Sequence, residues 1–107
     1  MGITNRQTNP GENTLIFSGP FDFTVRKEFK VAFQEAQTKD TKHIILNLAD
    51  VSFIDCAAIG LLVQAKHEIE ATEITLTINA VPGRVLDVLK LLNLDEMFSV
   101  TPARQNI

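Results

Sequence analysis

His43-Ile44-Ile45-Leu46-Asn47-Leu48-Ala49-Asp50-Val51-Ser52-Phe53-Ile54-Asp55-Cys56-Ala57-Ala58-Ile59-Gly60 divides into a strand, a loop and the opening of a helix. Residues 44–48 are apolar on both alternations except at Asn47, which predicts a central strand covered on both faces. Residues 49–54 break the alternation and predict a loop. From Asp55 the period changes to that of a helix: Ala58, Leu61, Leu62, Ala65 and Ile69 form one apolar stripe, and Lys66, His67, Glu68 and Glu70 take the wet side. Asp55 stands where a side-chain oxygen caps the helix.

The same reading extends to both ends. Upstream, Asn9-Pro10-Gly11-Glu12-Asn13 is dense in turn formers and separates two short strands, the second of which holds Leu15-Ile16-Phe17 and ends at Gly19-Pro20. Val25, Phe29, Ala32, Phe33 and Ala36 then repeat with helical spacing, opposite Arg26, Lys27, Lys30 and Glu35, with Asp22 or Thr24 as the cap. Downstream, Ile74-Thr75-Leu76-Thr77-Ile78 alternates as a strand with one wet face. Pro82 suits a first helical position, and Val85, Val88, Leu89 and Leu92 continue a third amphipathic helix. Residues 97–100 predict a closing strand, and 102–107 a polar tail. The order β, β, α, β, α, β, α, β predicts a single α/β domain over residues 1–107. Its sheet is mostly parallel or mixed, with four to five strands and three to four helices joined by right-handed crossovers.

Composition narrows the function. The chain has 107 residues, 45 % of them hydrophobic, a net charge of −3, and no Trp or Tyr. Its ten Lys and Arg are scattered rather than gathered into a stripe, which argues against nucleic-acid binding. Cys56 is the single cysteine, so neither a disulfide framework nor a Cys-rich zinc site is expected. Residues 1–10 lack the apolar segment of a signal peptide. The longest nearly uncharged apolar stretch, 56–65, is about half of the ~20 residues that a bilayer crossing needs. A cytoplasmic location without membrane insertion is the expectation.

Catalytic chemistry finds little support. Ser18, Ser52 and Ser99 are the only serines, and none lies in a Gly-x-Ser-x-Gly elbow. His43 opens a strand, His67 lies on a wet helix face, and no His-x-x-x-His or Cys-x-x-Cys pair is present. The five glycines form no dinucleotide or Walker loop. A phosphorelay receiver would use acids such as Asp50 and Asp55, but residues 79–81, Asn-Ala-Val, supply no hydroxyl after the next strand. The expectation is a protein with no metal, no cofactor and no catalytic residues.

The segment from Leu48 to Gly60 closely resembles the core of the STAS domain, the family of bacterial anti-sigma factor antagonists and of the cytoplasmic domains of sulfate transporters. Leu48, Asp50, Val51, Phe53, Ile54, Asp55, Ile59 and Gly60 match its pattern, and Gly19 to Asp22 resembles the family's turn after the second strand. The family's final helix looks missing or shortened here. The resemblance implies a non-catalytic bacterial regulator, a partner switch that docks an anti-sigma factor acting also as a serine kinase. The alternative it implies is an accessory subunit of a membrane complex that transports lipids or anions. The implied docking residues are Asp22, Phe23, Asp55, Cys56, Ala57, Ala58, Ile59 and Gly60. In antagonists a serine in this turn is phosphorylated, where unpaired N–H groups at the helix start favour the added charge. Aligning Asp55 and Gly60 puts Cys56 and Ala57 on the two hydroxyl positions. Ala57 falls on the phosphoacceptor, with no oxygen to modify, and Ala58 on the first glycine.

Each of these residues also has a plainer role. Asp55 and Asp22 serve as caps, Ala57 and Ala58 as helix formers, and Cys56 as a small filler whose thiol would be reactive only at a helix N-terminus. Ser52 reads as loop. Phe21 and Phe23 flank Asp22 with opposite side-chain directions, so one of them should be exposed and available as a partner anchor.

Overall fold

The computed structural model describes residues 2–94 and the backbone of 99–102. The elements are β1 (Gly2–Asn9), β2 (Glu12–Phe21), α1 (Arg26–Ala36, preceded by a 3-10 turn, Phe23–Val25), β3 (His43–Ile54), α2 (Cys56–Ile69), β4 (Thr75–Ala80), α3 (Arg84–Leu91) and β5 (Ser99–Pro102). Their order is the one read from the chain. The expected closing strand is β5, beginning at Ser99; the rest of that expected strand, 97–98, and the tail beyond Pro102 lie outside the described residues.

One sheet holds the five strands in chain order, β1 antiparallel to β2 and the rest parallel. Each crossover steps in the same direction across the sheet, so right-handed connections place α1, α2 and α3 on one face. That face is the core. Leu15 and Phe17 of β2, Ile44, Leu46 and Leu48 of β3, and Leu76, Ile78 and Ala80 of β4 are all buried there. The α2 stripe Ala58, Leu61, Leu62, Ala65 and Ile69 packs onto them as its spacing requires. Phe29 of α1 centres an aromatic cluster, with its ring 5.9 Å from Phe17, 5.8 Å from Phe21 and 5.6 Å from Phe33.

The opposite face carries no helix among the described residues, which corrects the expectation that β3 is covered on both sides. Ile16, Ile45 and Asn47 are only half-buried there, beside the buried Thr14 and Thr77. An apolar run can arise on a one-sided strand when a few isoleucines sit among threonines at the sheet centre.

Two boundaries differ from the sequence reading. Gly19-Pro20 does not end β2; the strand runs on to Phe21 with a register shift between Gly19 and Pro20, where Gly19 takes a positive φ of 88°. Among the described residues β1 pairs with β2 only as far as Ser18, and Pro20 lies beyond that pairing at the register shift, where proline is tolerated. Residues 49–54 are not a loop. They extend β3 to Ile54, paired with the extension of β2 through Gly19↔Val51 and Phe21↔Ile54. Shifts in register spoil the alternation there, so the strand is hidden from periodicity. Pro82 lies in the turn before α3, whose N-cap is Gly83, rather than at its first position.

Candidate functional site

The paired ends of β2 and β3 bring two acidic turns together at one edge of the molecule. The backbone N–H of Asp55 donates to the Phe21 carbonyl at 3.3 Å, which closes the corner. The Asp55 carboxylate then serves both elements. Its Oδ1 accepts the Ala58 N–H at 2.8 Å and caps α2, while Oδ2 accepts the Phe23 N–H at 3.4 Å. Asp22 caps the 3-10 turn, accepting the Thr24 N–H at 3.0 Å and the Thr24 hydroxyl. The bonds from Thr24, hydroxyl first, hold the Asp22 carboxyl below its ordinary value, so it is a firm anion.

Asp55→Ala is therefore expected to lower stability by about 1–2 kcal/mol, the cost of losing a helix cap. Asp55→Asn, which keeps an acceptor oxygen, should lose less. Denaturant titration of the three proteins measures both, and equal stability of Asp55→Ala and wild type would remove Asp55 from this role.

Between the caps, the two phenylalanines part as their alternation requires. Phe21 is wholly buried, whereas Phe23 is 61 % exposed. Across β3, Phe53 is also exposed, in register with Pro20. Cys56 and Gly60 are exposed, and Ala57 and Ile59 are half-buried. Ala58 is fully buried, so among the residues implied for docking its side chain offers a partner nothing; it belongs to the core.

Phe23, Ala57 and Gly60 line a hollow of about 550 Å³ together with Arg26, Val63 and Gln64. Arg26 and Gln64 were not among the residues singled out from the sequence. Arg26 reads from the sequence only as a wet-face residue and Gln64 carries no signal, because which part of a helix turns toward a neighbouring helix is set by packing. Ser52 is exposed but lines a separate, smaller hollow with Arg84 and Gly83 at the start of α3. The turn 55–60 itself contains no hydroxyl. Among the described residues no group of three or more His, Cys, Asp or Glu is placed to hold a metal ion. No described helix is long and apolar enough to cross a membrane.

The sequence model of the STAS domain matches residues 4–107. The chain belongs to the STAS domain family. Solved structures of similar shape include an anti-sigma factor antagonist from Mycobacterium paratuberculosis, at 18 % identity and a TM-score of 0.81, covering 95 % of this chain and 87 % of that one. The Bacillus cell fate determinant SpoIIAA in its phosphorylated form matches at 17 % identity and a TM-score of 0.67, over 97 % of this chain and 93 % of its own. A sulfate transporter family protein from Wolinella succinogenes matches at 20 % identity and a TM-score of 0.74, over 89 % and 80 %. At these identities the likenesses establish the STAS fold. A search of curated protein sequences gives no match.

Proposed function

We propose that this STAS protein is a non-catalytic bacterial regulator that docks a protein partner at the corner between β3 and α2, in the manner of an anti-sigma factor antagonist. Phe23 carries the reading. An aromatic ring 61 % exposed, on a backbone whose N–H bonds to the Asp55 carboxylate and next to a hollow, has the character of an interface anchor. Cys56, Ala57, Ile59 and Gly60 continue the same surface, with Asp22 on its flank.

Gly60 supports the same reading. It lies in the second turn of α2, where glycine costs about 1 kcal/mol relative to alanine. Nothing within the molecule requires it, since an added Cβ would meet no atom within 4 Å. A missing side chain at an exposed helix position makes sense where another chain comes close.

The partner of this reading is an anti-sigma factor or serine-kinase-like regulator in the cytoplasm. Because Ala57 has no side-chain hydroxyl, phosphorylation cannot release that partner through this turn, and binding is constitutive with respect to it. Incubated with such a kinase and ATP, wild type should incorporate no phosphate within residues 55–60, while Ala57→Ser should gain it. Mass spectrometry of the digested protein decides, and label on wild-type Cys56 would overturn the loss of the switch.

The direct test is affinity capture by the full chain from its source cells, with Phe23→Ala in parallel. A regulatory protein recovered by wild type and lost with Phe23→Ala supports the proposal. The fold likeness to a sulfate transporter family protein favours a second reading, an accessory subunit of a membrane transport complex. Recovery of a permease or transport ATPase in the same experiment would replace the first reading with the second.

A further inference from the structure

Beyond the corner, α1 and α2 diverge. The hollow at Phe23 and Ala57 continues into another of about 430 Å³, and the two share Leu61, Gln64 and His67, so one groove runs along the molecule between the helices. Its floor is apolar, made by Phe29, Phe33, Leu61 and Ala65, core residues that each show only an edge to the groove. Ala57, Gly60 and Gln64, at i, i+3 and i+7, place short or uncharged side chains along the α2 wall.

The α1 wall is cationic. Arg26 and Lys30 stand at i and i+4 and both line the groove. Among the described residues neither has a carboxylate within ion-pair distance. Glu68 is the only acid on the groove, at its far end, where the Gln37 amide already donates to it at 2.6 Å. His67 has its own carboxylate, Glu70, at 3.6 Å. Glu28 in the first turn of α1 is turned away, accepting the Ile3 N–H at 3.1 Å.

Arg26, Lys27 and Lys30 therefore crowd positive charge into the N-terminal half of a helix, where the macrodipole disfavours it and like charges at i and i+4 repel. Among the described residues no ion-pair partner offsets that cost. The surplus is also opposite in sign to the chain's net charge of −3. An apolar floor between two helices, with unpaired cations along one wall, has the features of a site for an amphipathic helix bearing acids.

We propose that the groove between α1 and α2 receives an acidic amphipathic helix of the partner, its apolar side chains over the groove floor beside the exposed Phe23 and its carboxylates on Arg26 and Lys30. The inference rests on the docking reading above and supplies the chemistry of the partner segment next to the corner.

The test is a titration of the full-length protein, labelled with ¹⁵N, with a synthetic helical peptide. The probe is about four turns long, with leucines at i, i+4, i+7 and i+11 and glutamates on the flanks; its control has lysine for every glutamate. The acidic peptide should shift the amides of Arg26, Lys30, Leu61, Gln64 and His67, and should bind more tightly than the lysine control. Arg26→Glu/Lys30→Glu should weaken it about tenfold, and added salt should weaken it in wild type. That variant is expected to fold, because both side chains are exposed and acids suit a helix N-terminus. Equal affinity for both peptides, no effect of the double variant, no binding at millimolar peptide, or shifts confined to the open sheet face would each overturn the proposal. Partner capture separates it from the corner reading. Capture lost with Phe23→Ala but kept with Arg26→Glu/Lys30→Glu overturns the groove and spares the corner; the reverse pattern overturns the corner and spares the groove.

Discussion

Gly60→Trp is expected to weaken partner binding by about a hundredfold or more while leaving the fold intact, since a bulky group at the centre of an interface removes the close approach on which hot-spot contacts depend. The local geometry makes the two effects separable. A Cβ at Gly60 meets no atom within 4 Å and Gly60 is exposed beside Phe23 and Ala57, so a side chain there has open space to leave the helix surface. Gly60→Ala should raise stability by about 0.5–1 kcal/mol through helix propensity alone, and should weaken binding far less than tryptophan does. Calorimetric titration with the captured partner, beside thermal melts of all three proteins, measures both quantities. Undiminished binding by a folded Gly60→Trp would place the docking surface elsewhere.

Phe29→Ala is expected to cost about 3–5 kcal/mol, the range for deleting a buried aromatic side chain. Phe29 is 2 % exposed and its ring lies within 6 Å of the rings of Phe17, Phe21 and Phe33. Truncation removes both the burial and the ring contacts, and leaves a cavity beneath the groove. Domains of this kind have only about 5–15 kcal/mol to lose. The melting temperature should fall by roughly 12 °C or more, at about 4–8 °C per kcal/mol for a domain near this size. Phe23→Ala gives the contrast, because the same chemical change at an exposed ring should shift the melt by at most about 2–4 °C if about 0.5 kcal/mol or less is lost. A small shift for Phe29→Ala would mean that the aromatic cluster does not organise α1 against the sheet.

Local signals were legible along the chain. The α2 stripe from Ala58 to Ile69 matches its buried residues because helical spacing alone determines which side chains share a face. Asp55 caps α2 because the cap needs only a carboxylate three residues ahead of the N–H it accepts. The parting of Phe21 and Phe23 followed from alternation about Asp22. The extension of β3 through Asp50, Ser52 and Phe53 was not legible, because its regularity lies in the pairing with Ser18 to Phe21 and not in its own pattern. Nor were the roles of Arg26, Lys30, Gln64 and His67, since a polar residue on a helix reads as solvent-facing until the neighbouring helix is placed.

The order of elements, the apolar stripes, the capping carboxylates and the missing hydroxyl at Ala57 are properties of residues and their near neighbours, and they stand without any coordinates. Which sheet face stays bare, how far β2 and β3 run together, which wet face of α1 looks onto α2, and that a cationic groove opens from the corner depend on contacts between residues distant in the chain. Those contacts follow from the hand of the crossovers and the packing of whole elements, and no stretch of sequence contains them.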